Sequence, residues 1–411
     1  MLALTFLNDV RIDMNIKFPD ANYTFAEGSN KYVVVGGNNW NGSVVFPNGA
    51  DKVSVWGTYR FRGNVEIPES VTDCDNAFDR CTVFNNPVEL PNNVVSCANM
   101  FSYCYTYNQP ITIPNKVTNC SNMFYECRAF KASAIDIPDS VLDCSSMFYN
   151  CGYFNGTVKI SNEATRLSRM FAECRNFNQP ITLPNNNVSA QAMSPFMFSN
   201  CQKFNQPVQI PSKFSLKSLG GMFDNCRSLN CAVSIGASMG PGLGSDMDNM
   251  FRNCIVFNQP MTIPFYVNMA NMFAYCGNLN SPISLYCANA DGIPHYNMAH
   301  MFYWCVNFNQ NFSVPNTVSN LAYAFWHTSM FQNLYINRTQ DSYGYNIQGM
   351  VGDRIYNYPQ LTILTNNIYR FYYNTAASNS IVANTISWST YNSMAQYNSV
   401  YGIILSRDYA G

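Results

Sequence analysis

The apolar positions of this chain follow two alternating patterns. One is short and strand-like. In Pro110-Ile111-Thr112-Ile113-Pro114 the two Ile point one way and Thr112 the other, the period of two of an extended segment. In the second pattern Met123, Phe124, Cys127 and Phe130 fall at i, i+1, i+4 and i+7, which is the spacing of one face of a short helix. Ser121 or Asn122 stands where such a helix would be capped. Pro and Asn residues between the two halves supply the turns. One strand and one helical turn cannot bury both apolar faces alone, so the pattern predicts that such units stack on one another.

The unit repeats along most of the chain. The Phe of the string MFxxCxxFNQPITIP falls at Phe78, Phe101, Phe124, Phe148, Phe171, Phe198, Phe223, Phe251, Phe273, Phe302 and Phe325, with gaps of 22 to 29 residues. Two degenerate copies precede these and end in Val45-Phe46-Pro47 and Glu66-Ile67-Pro68. The expected fold class is an α/β solenoid of about 12–13 coils of ~23 residues, each a strand plus a short helix, with the strands forming a parallel sheet.

Three regions follow. Residues 36–335 are the solenoid. Residues 1–35, with alternating segments from Leu2 to Leu7 and from Arg11 to Phe18, are expected to cap or attach it. Residues 336–411 are rich in Tyr, as in Tyr369-Arg370-Phe371-Tyr372-Tyr373, with strand-like runs from Ile381 to Trp388 and from Val400 to Leu405. They are expected to form a β-rich module that caps, docks or oligomerises.

Ile113-Pro114, Val117, Phe124, Cys127 and Phe130, with Cys120 in place of an Ile, fit the frame of a known repeat. The pattern resembles the BspA-like, or Treponema pallidum type, leucine-rich repeats over about residues 36–335. Met-Phe in place of Ala-Phe, and Phe-Asn-Gln-Pro after the Cys, resemble a variant found in surface and phage proteins. The resemblance implies a curved solenoid used for adhesion or recognition, with no catalytic residues to carry over.

Composition narrows the function. Lys and Arg number 23 against 24 Asp and Glu, a net charge of -1, and charged residues make up only 11% of the chain. No basic face exists to neutralise a run of phosphates, and no basic block to hold an anionic membrane, so nucleic acid and membrane surfaces are excluded as charge-driven partners. No apolar run reaches the ~18–20 residues of a membrane span. The opening MLALTFLNDV lacks a basic stretch and a cleavage site, so a secretory leader is not expected there. Asn number 56 and His only 3, a balance that suits binding by contact better than metabolic catalysis.

The 16 Cys are locked to the repeat. Ten hold the MFxxC position, and Cys74, Cys97, Cys120 and Cys144 precede that position by seven residues. Buried reduced thiols packing as small apolar groups are the reading preferred over disulfides between adjacent coils or a metal site. Asn follows the aromatic, or the Leu in its place, in nine copies: Asn85, Asn108, Asn155, Asn178, Asn205, Asn230, Asn258, Asn280 and Asn309. A ladder that satisfies turn backbone is preferred for them over a glycan-binding row.

The outward residue of each strand is free to vary. That row is the candidate binding stripe: Glu66, Glu89, Thr112, Asp136, Lys159, Thr182, Gln209, Ser234, Thr262, Ser284 and Ser313. The expanded gaps, Gly236 to Asp246 and Tyr286 to His295, are a second candidate surface. His295 and His300, with Asp291 nearby, complete no triad or metal set, and His327 stands alone. No enzyme, cofactor or metal is expected. The expectation is a structural or recognition protein, foremost a bacteriophage virion component such as a tail fibre, receptor-binding or head-decoration protein. It would be an oligomer or part of a larger assembly, docked on virion proteins or sister copies through its ends, and able to meet a host surface glycan or protein. The alternative is a BspA-like adhesin on a bacterial cell surface.

Overall fold

The computed structural model describes residues 42–56, 59–185, 194–211, 219–236, 245–264, 267–286, 296–314 and 318–328, and the backbone of strands Val10–Asp13, Tyr23–Thr24, Tyr32–Gly36, Asn333–Ile336, Leu361–Thr365 and Ile403–Ser406. The chain divides into two units, Met1–Gln206 and Pro207–Gly411. Each is a stack of coils joined by parallel pairing.

The MFxxC half is not a helix, and no helix occurs among the described residues. Its backbone alternates between two kinds of hydrogen bond. Between Cys97 and Cys104, the amides of Cys97, Asn99, Phe101 and Tyr103 donate to the carbonyls of Asn119, Ser121, Met123 and Tyr125 in the next coil, at 2.7–2.9 Å. The amides of Met100, Ser102 and Cys104 close back on the residue three before them, and that of Ala98 donates to the Asp75 carboxylate. No donor in this run is left over, as buried backbone requires. Met247 to Cys254 repeats the same alternation in the second unit.

Each three-residue closure in which the third residue has φ > 0 is a turn of the type II kind. Two such residues occur per copy in all eleven copies, four positions apart: Asn76 and Arg80, Asn99 and Tyr103, and so on to Tyr323 and His327, with Gly221 as the one glycine among them. Side chains therefore run in-in-out-out with a period of four. From Met123 to Cys127 that period gives i, i+1 and i+4, and the closure of the Phe130 amide on the Cys127 carbonyl adds i+7, which is why a helix was expected. Asn122 is not a cap: its φ is 53°. The corner before it is made by Asn119, whose Oδ1 accepts the Ser121 amide at 3.0 Å.

The strand half keeps its expected alternation. Ala134–Asp136 pairs in parallel with Thr157–Lys159, Val208–Ile210 with Val233–Ile235, and Met261–Pro264 with Ile283–Tyr286. Around Glu89, Thr112 and Thr182 the same segment forms no regular strand. A second row of parallel bridges links Lys52, Asp73, Ser96, Asn119, Asp143 and Arg166, one per coil. Parallel pairing also extends across residues 36 and 335. Val10–Asp13 joins Tyr32–Gly36 and then Lys52–Trp56, while Phe312–Val314, Asn333–Ile336, Leu361–Thr365 and Ile403–Ser406 pair in sequence.

Two rows of stacked rings fill the interior of the first unit. The MF phenylalanines Phe78, Phe101, Phe124, Phe148, Phe171 and Phe198 lie 5.3–5.7 Å apart, nearly parallel. Phe84, Tyr107, Phe130, Phe154, Phe177 and Phe204 form the second row. In the second unit Phe223, Phe251, Phe273, Phe302 and Phe325 continue the first pattern at 5.4–5.6 Å. Each such contact contributes about 0.5–1.5 kcal/mol beyond simple burial.

Candidate functional site

The cysteines and the post-aromatic asparagines belong to the scaffold. The MFxxC thiol of each coil donates to the MF phenylalanine carbonyl one coil back: Cys127 to Phe101, Cys151 to Phe124 and Cys254 to Phe223, each at 3.0 Å. Burial pushes the thiols of Cys104, Cys127, Cys151 and Cys254 well above their ordinary range, so they are poor nucleophiles and poor metal ligands. Among the fifteen described cysteines only Cys231 is not fully buried. Asn85, Asn108, Asn155, Asn178, Asn230, Asn258 and Asn280 each accept a backbone amide from the following coil at 2.7–2.9 Å. The next residue of the motif supports them: Gln206 Nε2 donates to Asn178 Oδ1, and Gln259 Nε2 to Asn230 Oδ1. The FNQ signature is thus read by the neighbouring coil.

All eleven stripe residues are exposed, from Glu66 to Ser313. The strand neighbours on both sides of Lys159, Gln209 and Ser313 are buried. Pairing sets consecutive members on adjacent rungs: Asp136 opposite Lys159, Gln209 opposite Ser234, and Thr262 opposite Ser284. The Thr262 and Ser284 hydroxyls are 3.1 Å apart. In the first unit the stripe carries Glu66, Glu89, Asp136 and Lys159; in the second it carries no charge.

The turn ladder presents another face, which the sequence reading did not single out. Its outward positions are the two before Met-Phe and the two after it. In the first unit they form a mixed face. Tyr125 and Tyr149 stack at 4.7 Å and Arg80 lies over Tyr103 at 5.4 Å; next to them, after the Cys, Arg128 lies over Tyr105 at 4.7 Å. Partial burial and neighbouring tyrosines push the Tyr125 hydroxyl up to about 12.

In the second unit the face becomes aromatic and uncharged in the last copies. Tyr303, His300, Tyr323, Trp326, His327 and Trp304 form a closed circuit of ring contacts at 4.3–6.5 Å, and Tyr275 joins it at Tyr303. The visible signal was bulky aromatics after the core Phe in MFAY, MFYW and AFWH, at positions that elsewhere carry mostly small or polar residues. One copy earlier the face is charged. Arg252 grips Asp224 with two hydrogen bonds of 2.7 and 3.0 Å, which raises its already high pKa. Asp248, beside Asp246, is pushed up to about 6, first by burial and then by that neighbour.

His295, Asp291 and most of the two expanded gaps lie outside the described residues. His300 and His327 belong to the aromatic circuit. Among the described residues no group of three or more His, Cys, Asp or Glu could hold a metal ion, and no helix is long and apolar enough to cross a membrane.

The family described as "Mycoplasma protein of unknown function, DUF285" matches residues 64–159, 138–236 and 244–343, well over half of the chain. The chain belongs to this family. The DUF285 matches fall on the coils just described. Among curated proteins none matches. The chain is also similar to a solved structure titled a leucine rich cell surface protein from Faecalibacterium prausnitzii A2-165, at 14% identity and a TM-score of 0.37, covering 82% of this chain and 83% of that one.

Proposed function

We propose that this chain is a recognition protein with no catalytic step, held at a bacterial cell surface, which presents fixed rows of side chains to a partner. The observation that carries this reading is the division of labour in each coil. Inward positions are rings, thiols and aliphatics tied into ladders; outward positions keep their spacing but change identity from Glu and Thr to Asp, Lys, Gln and Ser. A scaffold of this kind separates folding from specificity, because the outward row can vary without touching the core. The stripe residues of each unit, Glu66 to Thr182 in the first and Gln209 to Ser313 in the second, are the first candidate contact rows, suited to a host-surface glycan or protein.

DUF285 is described from Mycoplasma, a cellular bacterium, and this favours the cell surface over the bacteriophage virion expected from the sequence. Docking on sister copies through the terminal segments belongs to the same proposal. Fractionating a producing culture on a density gradient and probing with antibody tests the placement. Recovery with cell envelopes is expected. Banding with virus-like particles would replace the surface reading with the virion one, and free soluble protein alone would contradict both.

A further inference from the structure

The aromatic circuit of the second unit is surplus to what holds the fold. The buried work of those coils is done by Met298, Met301, Phe302, Cys305, Leu321, Ala324 and Phe325, all at most 1% exposed. Tyr275 and Trp304, by contrast, are 44% and 41% exposed, and the flanking Ile255 and Val306 are 45% and 38%. Elsewhere in the repeat these positions hold mainly Ala, Ser, Asn, Asp, Glu, Arg and Tyr. Seven rings at seven such positions, over three successive copies, are therefore a feature in need of a cause. Contiguous exposed apolar surface of this sort marks a contact site.

Three properties restrict the partner. First, the face has no charge of its own: the two positions before and the two after the core pair in these copies include no Asp, Glu, Lys or Arg, and Arg252 of the preceding copy, which interacts with Tyr275, has its charge met by Asp224. Burial lowers the pKa of His300 below its ordinary value, so its imidazole is also uncharged at neutral pH. Second, the face is small. A wholly exposed aromatic side chain offers about 150–250 Å², so two rings at two-fifths exposure and five at less leave roughly 300–450 Å². A stable protein interface needs about 800 Å² from each partner. Third, the rings are edged with polar atoms: Tyr hydroxyls, Trp N–H groups and imidazole nitrogens ring a surface whose faces are apolar.

We infer that this aromatic face of the second unit, centred on Trp304, Tyr275 and Tyr303, is a binding site for a neutral saccharide. A pyranose has a face of C–H bonds, slightly positive, and a rim of hydroxyls. The negative face of an aromatic ring attracts the first, and the polar edges of the circuit hydrogen-bond the second. Two to three sugar units cover the area above. The inference rests on the recognition reading and names a ligand and a place for it, distinct from the strand stripe.

The test is isothermal titration calorimetry of the full chain with neutral chito-, cello-, manno- and galacto-oligosaccharides of four units. Saturable binding to at least one series is expected. Trp304→Ala should weaken it by about tenfold or more, as for a central anchor. Tyr275→Ala, which touches the circuit only at Tyr303, should weaken it while leaving the thermal melt unchanged, and so holds the test open if Trp304→Ala fails to fold. Ser228→Ala, at an exposed position on neither the aromatic face nor the stripe, should bind as the parent does, and Thr262→Ala/Ser284→Ala tells the two surfaces apart. No saturable heat with any series, equal binding by the Tyr275 variant, or loss only in the stripe variant would each overturn the inference. So would concentration-dependent dimerisation abolished by Tyr275→Ala, which would make a second copy the partner. Envelope recovery together with any of these leaves the surface reading standing, so the two fail separately.

Discussion

At the residue scale, the decisive choice is which side chains accept φ > 0. Only Gly, Asn and Asp visit that region at low cost; for others it costs about 1–2 kcal/mol. Nine of the positions in the turn ladder are Asn, from Asn76 to Asn271. They account for part of the Asn excess, and the post-aromatic ladder and the corner residues such as Asn119 and Asn268 for more. Asn122→Gly should therefore leave stability within about 0.5 kcal/mol, whereas Asn122→Val should cost about 1–2 kcal/mol in chemical denaturation. Tyr107 replaces a Phe in the second ring row, and its buried hydroxyl finds no partner. Tyr107→Phe should stabilise the chain by about 1–2 kcal/mol, seen as a higher melting temperature.

Asp248 adds a pH dependence of known sign. Its folded pKa of about 6 lies above the ordinary 3.8, so the folded state holds its proton more tightly. Stability is then greatest below that ordinary value and falls as pH rises to about 6, by on the order of 1 kcal/mol after allowing for screening at a half-exposed site. Asp248→Asn should flatten this window and raise stability at neutral pH. A variant whose pH profile matches the parent would contradict the assignment.

At the scale of the element, the strand half was legible and the other half was not. Thr112 and its counterparts face outward as a period of two requires, and the Asn row after the aromatic satisfies backbone as expected. The MFxxC half was misread because periods of 3.6 and 4 coincide over so short a stretch. The spacing reports which residues go inward but not whether hydrogen bonds stay within the coil or pass to the next. Asn at the position before Met-Phe, recurring in a segment with no other reason for it, was the available sign of φ > 0. The ladder also means that one side chain serves two coils. Asn178 Oδ1 accepts from the Asn205 amide and from Gln206 Nε2. Asn178→Ala should cost about 1–3 kcal/mol in denaturant melts, since it strands a backbone donor of its neighbour.

At the scale of the whole molecule, low charge and many uncharged polar groups follow from a chain made largely of ladders, in which Asn, Gln, Ser and thiols satisfy backbone from coil to coil. The candidate stripe was readable from the sequence because its residues alternate with buried ones. The aromatic face was not, because it needs the register between coils as well: His300, Tyr303 and Trp304 fall at i, i+3 and i+4, outward on a helix and on the ladder alike, and only the stacking of copies brings them against Tyr323 and His327. The form of the MFxxC segment is the claim on which the account of the fold depends. Far-ultraviolet circular dichroism of the full chain tests it most directly. A spectrum of β and turn character without the double minimum of α-helix is expected; a helical double minimum, at the strength eleven one-turn or longer helices would give, would contradict the account.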